Sequence, residues 1–212
     1  MFITFEGIEG CGKSTQINLL AGQLQRLGRQ VLLTREPGGC PIADQIRRLL
    51  LDADNRTMVP MTELMLYAAA RSQHLAEIVQ PALTAGSLVL CDRFSDATRA
   101  YQAFGRGIDR QVMESLNDLA CNGLTPDLTL LLDCQVEVGL ARARQRIAGS
   151  SGPKEERFEL ESLHFHQRVR DGYLQLAAEE PDRFVVIDAA ASQDQVARTV
   201  LQAVQQRLRS PA

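Results

Sequence analysis

No stretch of the 212 residues stays apolar for the length a membrane span needs, and Met1 runs straight into a strand-like FITFE with no signal-peptide pattern. Both absences lead to the expectation of a cytoplasmic protein with no membrane partner. Positive charge is not in excess either. The 23 Lys and Arg stand against 26 Asp and Glu, a formal net charge of −3, so the bulk field attracts neither nucleic acid nor an anionic membrane surface. No two cysteines form a C-x-x-C pair. Cys11, Cys40, Cys91, Cys121 and Cys134 are scattered and odd in number, the pattern of reduced thiols and not of a disulfide framework or zinc site. Internal repeats and dividing linkers are absent, so residues 1–212 read as a single domain.

What is present is alternation. Five short apolar or β-branched runs (MFITFE, QVLLT, SLVLCD, DLTLLLD and RFVVIDA) are separated by helical patterns. After the first run, Ile17, Leu20, Leu24 and Leu27 recur at helical spacing and Gly28 supplies a stop. A long helix is expected from Pro60 with a kink at Pro81, a helical stretch from about Asp96, and another opening at Arg157. The fold class is therefore α/β, a five-stranded parallel sheet with helices on both faces. Ligands of such sheets gather beyond the carboxyl ends of the strands, which places Gly7, Arg35, Asp92 and Asp133 on one rim. Asp133 has a plainer expected role there, as the cap of the next helix.

The stretch FEGIEGCGKST carries the strongest chemistry. Gly7-x-x-x-x-Gly12-Lys13-Ser14 lies between a strand pattern and a helix pattern, the context a phosphate loop requires. Gly7, Ile8, Glu9, Gly10 and Cys11 form a turn whose backbone N–H groups can point at phosphate oxygens, with Cys11 contributing backbone only. Gly12, Lys13, Ser14 and Thr15 lead into the helix N-terminus and its positive potential. Lys13, read as a solvent-facing lysine, reaches the β- and γ-phosphates of ATP, and the Ser14 hydroxyl is a ligand for Mg²⁺. Asp92, at the end of LVLCD, reads as a second Mg²⁺ ligand or as a helix cap. Arg93 beside it favours the metal reading, because a guanidinium there has an obvious use on phosphate. In TREPGG, Arg35 and Glu36 read locally as a solvated charge pair on a Pro-Gly turn.

Taken together, FEGIEGCGKST, TREPGG, AAARSQH, DRF with AYQ and GRG, and PDLTLLLD resemble, in order and spacing, the bacterial thymidylate kinases over nearly the whole chain. The resemblance implies the phosphate-loop nucleoside monophosphate kinase fold with a short lid at about residues 142–158. It implies transfer of the γ-phosphoryl of ATP to dTMP, with Mg²⁺ as cofactor, by a homodimer. Carried over position by position, Glu9 holds the 3′-hydroxyl of the acceptor, and Arg35, Arg93 and Arg47 clamp its phosphate. Tyr67 stacks on thymine, Arg71 and Gln102 read the base beside Thr98, and Glu36 and Arg106 join the acceptor side. The chain departs from the usual pattern at Ala97 and at Ala103-Phe104.

One feature of the loop is missing. Some relatives place an arginine directly after the loop carboxylate, whereas Gly10 follows Glu9 here, so the resemblance points to the class in which a lid supplies the cation. Arg142, Arg144 and Arg146 precede a Gly/Ser/Pro-rich turn, with Lys154 and Arg157 after it, and Arg144 and Arg146 are the preferred catalytic candidates. His164 and His166 are expected on the surface, and His74 either on a helix surface or beside the base pocket. A GTP-dependent switch would need a guanine-reading NKxD after a later strand, where this chain has LLLDCQVE. Another small-molecule kinase and an ATP-binding protein without turnover are the remaining alternatives, separable by acceptor competition and a phosphoryl-transfer assay.

Overall fold

The computed structural model describes residues 1–149 and 157–209. Its five strands, β1 (Phe2–Glu6), β2 (Val31–Arg35), β3 (Leu88–Asp92), β4 (Leu128–Asp133) and β5 (Phe184–Asp188), form one parallel sheet in the order β2-β3-β1-β4-β5. Central β1, β3 and β4 are buried almost throughout because both faces are covered, and the alternation of strand side chains sorts them to two layers. Ile3, Phe5, Leu88 and Leu90 enter the larger core cluster, while Phe2, Val89 and Cys91 enter a second one on the other face.

Among the described residues nine α-helices connect and cover the strands: α1 (Lys13–Arg26), α2 (Pro41–Leu51), α3 (Pro60–His74), α4 (Gln80–Thr84), α5 (Ser95–Thr98), α6 (Arg110–Cys121), α7 (Val136–Ala148), α8 (Leu163–Glu179) and α9 (Gln193–Arg209). Between α3 and α4 the chain stays helical through a π-helical turn, Leu75–Val79, so the long helix expected from Pro60 widens ahead of Pro81. There the N–H of Gln80 reaches back to Leu75 O, which accommodates a proline that has no N–H of its own. A second π-helical segment, Arg99–Gly105, continues α5. The helix expected to open at Arg157 begins six residues later, because Ser162 caps α8 by accepting from Phe165 N.

The register sets the site. β1, β2 and β3 end level, Phe5 and Arg35 each pairing with Asp92, so the loop after β1 and the turns after β2 and β3 open onto the same rim. Asp133, at the end of β4, is not a helix cap. Gln135 is the N-cap of α7, and both Asp133 carboxylate oxygens accept from Arg170 at 2.7 Å, tying β4 to α8.

Candidate active site

A cavity of about 990 Å³ runs along the rim, at the upper end of the range for small-molecule sites. One end is walled by the phosphate loop. Gly7 adopts φ 131°, and a Cβ there would sit 2.4 Å from Leu132 O, so only glycine lets the loop leave β1 this close to β4. Gly12 takes the left-handed conformation that starts α1. Glu9, Gly10, Cys11, Gly12, Ser14 and Thr15 line the cavity, whereas Gly7 and Ile8 lie behind it and contribute their carbonyls.

Lys13 is not solvent-facing. It is 7% exposed, and its Nζ donates to Gly7 O at 3.1 Å and Ile8 O at 2.9 Å, with Cys11 Sγ 3.5 Å away. Ser14 Oγ donates to Asp92 Oδ2 at 3.0 Å, across 78 residues of sequence, so the two groups expected at the metal meet on the cavity wall. Two hard oxygens beside a phosphate loop are the donor set Mg²⁺ takes when phosphate oxygens and water complete its shell, and the residues fit the ion.

Arg93 is the hub of the site. Its φ of 70° is left-handed, a cost for a non-glycine residue that the surrounding contacts sustain. Nη1 donates to Gly7 O at 2.9 Å and Tyr173 OH at 3.0 Å, and Nη2 donates to Glu9 Oε1 at 3.1 Å and Tyr101 OH at 2.9 Å. Burial opposes its charge, but the Tyr101, Tyr173 and Glu9 oxygens outweigh that and hold the guanidinium well above its usual range. The turn itself is anchored from below by Glu6, which accepts from Phe94 N and from Tyr173 OH, both at 2.7 Å. Burial and the Asp96 charge push the Glu6 carboxyl up to about 8. Glu9 shifts the opposite way. Burial would raise it, yet His166, Arg93 and Lys13 together hold it below the usual carboxylate range.

At the other end of the cavity stand Tyr67, Arg71, Gln102, Arg35 and Arg47. Arg71 is buried in the cavity wall and makes four contacts: Glu36 Oε2 at 2.8 Å, Asn117 Oδ1 at 2.6 Å, Phe94 O at 3.1 Å and Thr98 Oγ1 at 2.9 Å. Glu36 is buried too, so the solvated charge pair read from TREPGG does not form. Its second oxygen meets His74 Nδ1 at 3.0 Å, and the other ring nitrogen of this buried histidine lies 2.6 Å from Thr34 Oγ1. Gln102 donates its amide N–H to Glu63 at 2.8 Å, which orients its carbonyl away from that carboxylate. Arg35 is half-exposed with Asp44 at 3.7 Å, and Arg47 donates to Pro37 O at 3.0 Å. Thr98 supports Arg71 from behind the wall. Arg106 is also off the cavity, pairing through two nitrogens with Glu63 and through the third with Glu161.

The arginines expected to belong to a lid separate by helix geometry. Gly139 on α7 packs directly on Gly10, where a Cβ would sit 2.0 Å from Gly139 O. From that contact Arg142 and Arg146, four residues apart on one face, reach the cavity, and Arg144 does not line it. Arg146 is 64% exposed and 3.7 Å from Glu159. Arg157 is no lid cation, being buried and committed to Leu50 O and to Glu63 at 2.7 Å. Lys154 lies outside the described residues. His164 is exposed as expected, but His166 is 0% exposed and faces Glu9. Sequence reasoning missed Glu6, Tyr101, Phe158 and Tyr173. Only Tyr101, inside AYQ, carried a local signal.

A family model for thymidylate kinases matches residues 5–200. The chain belongs to the thymidylate kinase family. It is 74% identical over 211 residues to the thymidylate kinase of Trichlorobacter lovleyi, covering 100% of both chains, and 62% identical to that of Geotalea uraniireducens over 98% of this chain and 97% of the relative. The crystal structure of thymidylate kinase from Ehrlichia chaffeensis superposes with a TM-score of 0.77 at 34% identity, covering 97% of this chain and 98% of that one. The nucleoside monophosphate kinase fold of this family is the five-stranded parallel sheet described above.

Proposed function

We propose that this protein transfers the γ-phosphoryl group of ATP to dTMP, giving ADP and dTDP, with Mg²⁺ held by Ser14 and Asp92. One observation carries the reading. A single cavity joins the phosphate loop to a pocket walled by a flat aromatic, Tyr67, and by the fixed polar side chains of Arg71 and Gln102.

The donor phosphates occupy the loop, where the N-terminus of α1 and the Lys13 ammonium face them. Lys13 exchanges its two carbonyl partners for phosphate oxygens, a small rotation for a flexible side chain. Mg²⁺, when bound, supplies neutralisation of charge on the transferring group. Arg93 and the half-exposed Arg35, with Arg47 beside them, hold the acceptor phosphate, letting a dianion approach a triphosphate. Arg142 and Arg146 reach over the transferring group from α7. The enzyme does little covalent work in such a transfer, so placed charge and alignment are its contribution.

Base choice follows from fixed donors and acceptors. A guanidinium N–H of Arg71 donates to a carbonyl at position 4 of the base, and the Gln102 carbonyl accepts the N3 hydrogen. Cytosine presents an amino group at position 4 and no hydrogen at N3, leaving both protein groups unpaired at a cost of several kcal/mol. Uracil lacks only the methyl, a difference of about 1 kcal/mol. A coupled ADP-release assay with dTMP, dUMP, dCMP, dGMP and AMP tests the reading. The expected order is dTMP, then dUMP, with the others negligible, and comparable turnover of dCMP or AMP overturns it.

The same reading includes a cytoplasmic homodimer. Its support is that α3 and α6, packed together, leave Met61, Met65, Val112 and Leu119 in solvent. Among the described residues no helix is long and apolar enough to cross a membrane. Sedimentation at micromolar concentration tests the dimer, and a monomer there overturns it.

A further inference from the structure

Glu63 stands behind the acceptor end of the cavity and does not line it. It sits in the first turn of α3, and Tyr67 and Arg71 follow at four-residue steps, so the three share one face of that helix. The residue is 1% exposed, and donors converge on both of its carboxylate oxygens. Oε1 accepts from Gln102 Nε2 at 2.8 Å and from Arg106 Nε at 3.1 Å. Oε2 accepts from Arg106 Nη2 at 3.0 Å and pairs with Arg157 Nη1 at 2.7 Å. Burial opposes the charge, but the Arg106 and Arg157 guanidiniums and the Gln102 N–H outweigh it and hold the carboxyl below its usual range. An ionised carboxylate only accepts, so the end of the Gln102 amide that meets it is the NH2.

We infer that Glu63 is a positioning residue that sets the base choice of the pocket: it takes the Gln102 NH2 and leaves only the Gln102 carbonyl for the N3 edge of a base. This rests on the proposed reading of Gln102 as the N3 partner. A glutamine amide has nearly the same shape either way up, so alone it suits the N3 hydrogen of thymine and the N3 lone pair of cytosine equally. Glu63 removes that ambiguity. A side chain at position 63 that also donates restores it, because its donor meets the Gln102 carbonyl and frees the NH2 for the cavity. Arg106 and Arg157 keep the carboxylate ionised and in place. Arg157 is itself tied through Nε to Leu50 O and through its backbone N–H to Leu51 O, at the end of α2. Its guanidinium lies 4.6 Å from the Phe158 ring centre and that of Arg106 lies 5.5 Å from it. The carboxylate that orients Gln102 is therefore braced by the aromatic wall beside Tyr67.

Two measurements on the full-length protein test the assignment. The first is the ratio of kcat/KM for dTMP to that for dCMP. Glu63→Gln, which keeps the shape and adds a donor, should shrink that ratio at least about tenfold while KM for ATP stays within about twofold. Arg106→Gln removes two of the donors but leaves the carboxylate facing Gln102, so it should lower the urea midpoint and hold the ratio within about twofold. The second is NMR hydrogen exchange of the Gln102 side-chain NH2, identified by its loss in Gln102→Met. In the wild-type protein without nucleotide it should exchange slowly with water, because it points at a buried carboxylate and not into the cavity. An unchanged ratio in a folded Glu63→Gln variant overturns the inference, as does an equal shrinkage in Arg106→Gln. Exchange of the NH2 at the rate of an exposed amide overturns it as well, and that result needs no variant of Glu63 to fold. Should the wild-type protein not prefer dTMP to dCMP, the functional reading fails and the exchange measurement still decides which way up Gln102 lies.

Discussion

The two ends of the cavity hold their charges in opposite ways. At the donor end the cations are loosely tethered: Lys13 hangs from two backbone carbonyls, Arg142 donates to Ala189 O at 3.5 Å, and Arg146 is largely in solvent. At the acceptor end they are pinned, the half-exposed Arg35 excepted. Arg71 has four protein partners and so does Arg93, and Gln102 is set by Glu63. A transferring phosphoryl group changes position and charge distribution, so its cations gain from being able to follow. A base is discriminated by what it fails to pair with, which works only if the protein donors cannot turn away.

The sharpest way to break the contrast is at Lys13. Lys13→Ala is expected to lower kcat by at least about a hundredfold, roughly 2.7 kcal/mol, because the charge on the transferring group then lacks its nearest donor-side cation. Two carbonyl contacts and a long one to Cys11 Sγ are lost, so the thermal midpoint should fall by a few degrees at most. A folded variant with near-normal kcat would remove the donor assignment. Next is the pinned hub. Arg93→Lys replaces a planar fork with a point charge that cannot hold Gly7, Glu9 and two tyrosines at once, and kcat/KM for dTMP should drop more than tenfold, at least about 1.4 kcal/mol. If only KM for ATP responds, Arg93 belongs to the donor end and the contrast is drawn in the wrong place.

Legibility in the sequence followed the same divide. The phosphate loop is announced locally, by the spacing of its glycines between a strand pattern and a helix pattern, and Glu9 to Thr15 line the cavity. Gly7 and Gly10 nevertheless owe their need for glycine to Leu132 and Gly139 far along the chain. The sheet was legible because strands β1, β3 and β4 are buried on both faces and read as continuous apolar runs. The scaffold below the acceptor end was not. Glu6 meets Tyr173 across 167 residues and Glu9 meets Tyr101 across 92, and no local pattern announces either contact. His166 looked like a surface residue, and His74 could be read either as one or as a neighbour of the base pocket, because a lone histidine on a helix carries no mark of burial. Asp133 looked like a cap because its partner, Arg170, lies on a different helix. Arg144 and Arg146 could not be separated without the Gly10–Gly139 contact, which sets the rotation of α7.

That hidden scaffold makes a prediction of its own. Glu6 is fully buried with its carboxyl pushed up to about 8 from 4.5, chiefly by burial and then by Asp96. Between those values the folded chain keeps a proton the unfolded chain has released. The contribution is complete below about pH 4.5 and fades as pH rises through the window, by up to about 1.4 kcal/mol per pH unit. Glu6→Gln preserves the shape and cannot titrate, so its urea midpoint should vary less between pH 5 and 8 than that of the wild-type protein. Parallel profiles for the two would mean that Glu6 titrates normally.

The smallest expected effect tests the loose end most finely. Arg142 and Arg146 share a face of α7 with Gly139, and Gly139 meets Gly10 backbone to backbone. A loop arginine at position 10 and this close approach are mutually exclusive, because even a methyl group there would collide with Gly139 O at 2.0 Å. On the proposed reading, the glycine that leaves the loop without this cation also lets α7 come near enough to supply one. Among the described residues Arg146 has one long ion pair, to Glu159 at 3.7 Å, and on the proposed reading it exchanges that contact for the phosphoryl group. Arg146→Ala should lower kcat about five- to tenfold, near 1 kcal/mol, with KM for dTMP unchanged, while Arg144→Ala stays within twofold. Gly139→Ala gives an independent reading, since its Cβ would sit 2.5 Å from Glu9 O and push α7 off the loop. It should reproduce the kcat loss of Arg146→Ala with both arginines still present. Equal losses at positions 144 and 146 would show that the lid acts through its total charge, and the rotation of α7 would then have no part in catalysis.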